Sequence, residues 1–115
     1  MAEMVSHVWV GASGREYRYF VYALPYGFKG GQDGNYIFAR QEPEGKWVPV
    51  YIGQGDLGDR VGNHHRAECI RRKGATHVHA RLNASEADRR EEEGDLLAAH
   101  PEAYVPAGCN EKEGG

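Results

Sequence analysis

Alternating apolar and polar positions predict a run of short strands before any helix. Residues 7–10 and 17–24 are strand-like, with Tyr17, Tyr19, Val21 and Ala23 on one face, and Gly11-Ala12-Ser13-Gly14 reads as the hairpin turn between them. Residues 25–34 form a loop carrying four glycines. Strands follow at 35–40 and 46–52, joined by the turn Glu42-Pro43-Glu44-Gly45. In the returning strand Val48, Val50 and Ile52 are expected on one side and Trp47, Pro49 and Tyr51 on the other. Pro49 cannot donate to a ladder, so this strand should be an edge or carry a bulge. With Asp56 as N-cap and Gly74 past its end, 57–73 reads as one helix. A strand is expected at 76–82. The capping-box pattern Asn83-Ala84-Ser85-Glu86 then starts a helix that runs to about Ala99 and stops at Pro101. The order is that of an α+β domain, a small antiparallel sheet covered by helices.

At 115 residues, with 40% apolar and 27% charged side chains, the composition suits one globular domain. No run approaches the ~18 apolar residues of a membrane span, and residues 1–14 lack the features of a signal peptide, so no membrane association and a cytoplasmic location are expected. Cys69 and Cys109 lack metal or redox spacing and are expected to be reduced and structural. A zinc site built on them is disfavoured for the same reason.

The net charge of −3 argues mildly against a nucleic-acid binder, but its distribution reverses that. Between 60 and 81 six basic residues (Arg60, Arg66, Arg71, Arg72, Lys73, Arg81) face only Glu68, a local balance of +5. Between 86 and 95 six acids face Arg89 and Arg90, a balance of −4. A basic block suits a polyanion and an acidic one a divalent cation, although two solvated helix faces would carry the same pattern.

Within this frame Tyr36, Tyr51, Arg60, His64, Glu93 and Asn110 make a set suited to chemistry on a phosphate: arginine for the charge, glutamate for a metal, a phenol or imidazole to move a proton. Arg60 and His64, four apart, are expected on one helical stripe. Among the consecutive acids, Glu93 falls in angle between Leu96 and Leu97, at the centre of the face to be buried, where a carboxylate needs a cation, hydrogen bonds or a metal. Glu86 shares that face but lies about 10 Å along the axis, too far to share one ion. His65 points about 100° away from His64 and reads as a surface or core residue unless it meets nucleic acid. Similar alternatives hold for His77, His79 and Arg81 on one strand face, and for Tyr17, Tyr19 and Trp47, which could stack bases but are more often core.

Gly34-Asn35-Tyr36, Tyr51-Ile52-Gly53, then Leu57, Arg60, His64, Glu93 with Leu96-Leu97, and Asn110 resemble the GIY-YIG nuclease family over residues 34–110. Asn35 stands where that family usually has an apolar residue, and the interval between the triplets is a few residues longer than usual, with the turn at 42–45 absorbing the difference. Tyr22 is a lesser alternative to Tyr36. The resemblance implies a three-stranded antiparallel sheet flanked by helices, with 35–40 in the middle and the Tyr51 strand on an edge. Residues 1–33 would be an N-terminal hairpin extension and 111–115 a disordered tail.

It also implies a DNA endonuclease with one Mg2+ or Mn2+ held by Glu93 and the scissile phosphate held by Arg60. Tyr36 by preference, or His64, would act on the attacking water, with Tyr51 beside it, and Asn110 would orient a partner or cap the chain end. Arg60, His65, Arg66, Arg71, Arg72 and Lys73 would meet the nucleic acid. The hairpin is the place for a second copy or a protein partner. The alternatives are a catalytically idle nucleic-acid-binding module on the same fold, and a protein-interaction module.

Overall fold

The computed structural model describes residues 4–112, so the expected tail at 111–115 lies mostly outside the described residues. Five strands, β1 (Ser6–Val10), β2 (Glu16–Ala23), β3 (Asp33–Gln41), β4 (Trp47–Asp56) and β5 (His77–Leu82), form one sheet in the order β1-β2-β5-β3-β4. Every neighbouring pair is antiparallel. With the helices α1 (Leu57–Gly62), α2 (Ala67–Arg72) and α3 (Glu86–Ala99), and a 3-10 turn at Pro101–Ala103, the chain is α+β. Among the described residues no helix is long and apolar enough to cross a membrane.

The three strands implied by the resemblance, β5-β3-β4, are only part of this sheet. The N-terminal hairpin continues it, because β2 pairs with β5 from Phe20↔Ala80 to Ala23↔His77. β3 lies between β4 and β5 and is buried on both faces. Its Tyr36 and Phe38 join Val50, Leu57, Ile70 and Val78 on one side, and its Ile37 and Ala39 join Trp9, Tyr19, Ile52 and Leu96 on the other.

β4 is an edge strand and also carries a bulge. The register runs Phe38↔Tyr51 and then Ala39↔Pro49, leaving Val50 as the extra residue. The bulge corrects the expected alternation: Val50 and Tyr51 both pack on the Tyr36 side, while Ile52 and Trp47 pack on the opposite one.

Three further expectations are corrected. The helix expected at 57–73 is two short helices. α1 begins as expected, with Asp56 accepting from the Asp59 N–H, but it ends at Gly62. His64 then accepts the backbone N–H of Arg66 at 2.9 Å, a local bond that replaces a helical one, and α2 restarts at Ala67. Arg60 and His64 therefore share no stripe. Secondly, the N-cap of α3 is Ser85, accepting from the Asp88 N–H, and not Asn83. Thirdly, Cys69 and Cys109 are joined in a disulfide, with Cα atoms 6.0 Å apart. Their separation of 40 residues leaves no spacing signal, so only the folded chain brings them together.

Candidate active site

Each triplet glycine is required by a close approach of chains. Tyr36 lies opposite Gly53 in the β3–β4 register, and a Cβ at Gly53 would stand 2.5 Å from the Tyr36 hydroxyl. A Cβ at Gly34 would run into the Arg81 carbonyl on β5. Asn35, between Gly34 and Tyr36, is wholly buried under α3. It donates to the Arg89 carbonyl at 3.0 Å and accepts from Asn83 at 3.1 Å, so its polar side chain is satisfied where an apolar one would otherwise fit.

The two tyrosines are stacked, with ring centres 6.1 Å apart and planes 14° from parallel. Tyr36 is only 1% exposed, and its oxygen lies 2.9 Å from His64 Nε2. Nδ1 of His64 accepts a backbone N–H, which can only donate, so the proton of the neutral ring sits on Nε2 and is donated to Tyr36. Burial holds the His64 pKa down at about 4, helped by His65, Arg60 and Arg66, which keeps the ring neutral. Burial pushes the Tyr36 phenol well up; Tyr51 and Glu93 add to this and Arg60 opposes it. Neither His64 nitrogen offers a free lone pair in this arrangement.

Tyr51 is the phenol on the open side. It is half-buried and lines a cleft of about 770 Å³ with His65, Arg66, Arg90, Glu93 and Asn110. Its pKa is raised by burial and then by Glu93, and lowered by Arg60 and Arg66. Arg60 is exposed at the end of α1, its side chain folded over Gly55. His65 is exposed and stacks on His64, with centres 4.7 Å apart. Arg66 donates to the Cys109 carbonyl and pairs with Glu111 at 3.0 Å. Arg72 lines a smaller adjoining recess with His65 and Arg66, whereas exposed Arg71 and half-buried Lys73 line neither cleft.

Asn110 acts on backbone. Its Oδ1 accepts the Ile52 N–H at 2.8 Å and its Nδ2 donates to the Ile52 carbonyl at 2.9 Å, pairing the outer edge of β4 as a neighbouring strand would. It thereby fixes the backbone between Tyr51 and Gly53.

The expected angle of Glu93 needs correction. The buried face of α3 is Arg89, Glu92 and Leu96, and Glu93 is half-buried at its margin, on the cleft. With a single leucine wholly buried, the face is set by polar groups that an apolar count ignores. Glu92 accepts from Tyr19 at 2.5 Å and lies 3.5 Å from Arg81, while burial raises its pKa. Arg89 donates to Gln54 and to the carbonyls of Asn83 and Ala84.

Among the described residues no three His, Cys, Asp or Glu side chains are grouped to hold a metal ion. A cation here would rest on Glu93 with water and substrate oxygens, a donor set that Mg2+ accepts. The sequence reading missed Arg90, Tyr104 and Lys112 on the cleft wall. Arg90 had a signal, standing three residues before Glu93 on one helix face, but Tyr104 and Lys112 lie in irregular chain without periodicity. No family model, curated protein or solved structure matches the chain.

Proposed function

We propose that the chain is a metal-dependent endonuclease that hydrolyses phosphodiester bonds in DNA, with the scissile phosphate in the Tyr51–Glu93 cleft. The observation that carries this reading is the convergence of a phenol from β4 and a carboxylate from α3 on one cleft rimmed by Arg66, Arg90 and Lys112. Glu93 would hold one Mg2+ or Mn2+, which supplies stabilisation of the leaving oxygen and of the charge that develops on phosphorus. Arg66 brings positive charge to the phosphate oxygens from the cleft wall, and Arg60, outside the cleft lining and folded over Gly55, adds to the positive field at Tyr51. Tyr51 orients the attacking water and, in its phenolate form, takes the water's proton and becomes the neutral phenol. Burial holds its pKa above the free value; Arg60 and Arg66 oppose this, and engaging the Glu93 carboxylate removes one of the groups that raise it. Tyr36 and His64 fix the Tyr51 ring from behind, and Asn110 fixes its strand.

The burial of Tyr36 and His64 favours a second reading, a nucleic-acid-binding module without catalysis. Partner contact through the hairpin is supported by β1 being a sheet edge and by the exposure of Val10 and Phe20. The Cys69–Cys109 bond favours an oxidising compartment over the expected cytoplasmic one. Supercoiled plasmid incubated with Mg2+, Mn2+ or EDTA tests the leading reading: nicking with either metal and none with EDTA supports it. Salt-dependent DNA binding without cleavage supports the second reading.

A further inference from the structure

The cleft wall beyond Asn110 carries an aromatic ring, Tyr104, beside two of the rim cations, Lys112 and Arg90, none of which has a step in the chemistry above. Tyr104 is half-buried, and the Lys112 ammonium stands 5.5 Å from the centre of its ring. Arg90 lines the same cleft from α3, where it also reaches exposed Glu86 one turn earlier at 3.3 Å, a surface pair that a phosphate can displace. The backbone under the ring is well tied. Val105 donates to the Asn110 carbonyl at 2.8 Å, Asn110 to Ala103 at 2.9 Å and Gly108 to Tyr104 at 2.9 Å. The disulfide anchors the neighbouring Cys109 to α2. The nearby acid Glu111 is paired with Arg66, so its charge is compensated locally.

A fixed aromatic face beside cations is what an unpaired nucleotide needs: the base stacks on the ring and the phosphate meets the cations. A continuous duplex cannot use such a face without unpairing a base. We propose that Tyr104, Lys112 and Arg90 form a subsite for one unstacked nucleotide beside the scissile phosphate, so that the preferred DNA is single-stranded, flapped or forked at that point. Lys112 covers the Tyr104 ring. A base takes over that face, and the flexible ammonium passes to the phosphate. The proposal rests on the reading of this cleft as a phosphodiester site.

The test is binding of the full chain to a blunt duplex and to a forked duplex of the same sequence, followed by fluorescence anisotropy in EDTA. Tyr104→Leu should weaken fork binding roughly 5- to 100-fold and leave blunt-duplex binding unchanged. Tyr104→Phe, which keeps the stacking face, should bind the fork as the wild type does. Lys112→Ala should weaken fork binding and lower its salt slope by about one. Equal losses on both DNAs with Tyr104→Leu, or no loss on either, would overturn the subsite. A wild type that binds neither DNA would overturn the parent reading with it. A wild type whose cleavage depends on Glu93 but whose fork binding ignores Tyr104→Leu would overturn the subsite alone.

Discussion

The Tyr36 oxygen accepts from His64 Nε2–H at 2.9 Å, a direction set by the Arg66 backbone N–H on the other ring nitrogen. The buried phenol is thus an anchored support for the Tyr51 ring. Tyr36→Phe would leave the Nε2–H of His64 without its acceptor and should cost about 1–3 kcal/mol in urea unfolding. Its effect on nicking should be smaller than that of Tyr51→Phe, for which a fall of roughly 10²-fold or more is expected. The reverse order of nicking rates would return the proton-transfer role to Tyr36.

Two buried histidines make stability depend on pH. Burial holds His64 at about 4 and His79 at about 3, with His79 Nδ1 accepting the Trp9 indole N–H at 3.0 Å. Above an unfolded pKa of ~6.5 neither group contributes a pH dependence. Below it the unfolded chain takes up protons that the folded chain refuses, so stability falls with pH at about 1.4 kcal/mol per unit for each group, until pH reaches the folded pKa. Glu92, raised by burial, acts in the opposite sense near its own pKa, so the difference between wild type and His79→Gln isolates His79. Urea unfolding between pH 7 and pH 5 should show a shallower decline in the variant, and parallel profiles would contradict this.

What was legible in the sequence was local. The period-two pattern located the strands, and Pro49 announced both the edge and the bulge of β4. The triplets were legible as candidates because each glycine is required by a close approach, Gly53 by Tyr36 across β3–β4 and Gly34 by the Arg81 carbonyl on β5. What was not legible depended on distant contacts. The bulge turned Val50 and Tyr51 to one side, and the His64–Arg66 bond broke the expected long helix. Glu92 and Arg89 took the buried face of α3 because Tyr19, Gln54 and Asn83 were waiting for them. Pairing of β2 with β5 and of Cys69 with Cys109 leaves no trace in local spacing.

Gly53→Ala tests the triplet geometry. The added methyl would stand 2.5 Å from both Cζ and the hydroxyl of Tyr36 and 2.9 Å from the Tyr51 ring. Displacing two stacked rings in a packed core should cost about 1–3 kcal/mol, and nicking should fall with it. A wild-type melting temperature and rate would show that the rings do not pack against Gly53 as described.

Reduction of the disulfide should loosen the outer wall of the cleft. The bond ties α2 to the segment bearing Asn110 across 40 residues, for which loop closure corresponds to about 3–4 kcal/mol. Cys109→Ser, or the wild type under excess dithiothreitol, should melt lower and exchange the Ile52 amide faster, because Asn110 is its partner. Unchanged melting and exchange would mean that the Asn110 clamp holds without the bond.

Glu93 bears the central claim most directly. Glu93→Gln keeps the size of a half-buried side chain and removes the charge that would hold the cation. Plasmid nicking should be measured with Mg2+ or Mn2+ for wild type and variant, alongside circular dichroism and DNA binding in EDTA. The account predicts a folded variant that still binds DNA and does not nick it. Wild-type nicking by Glu93→Gln, or a wild type that never nicks with either metal, would contradict it.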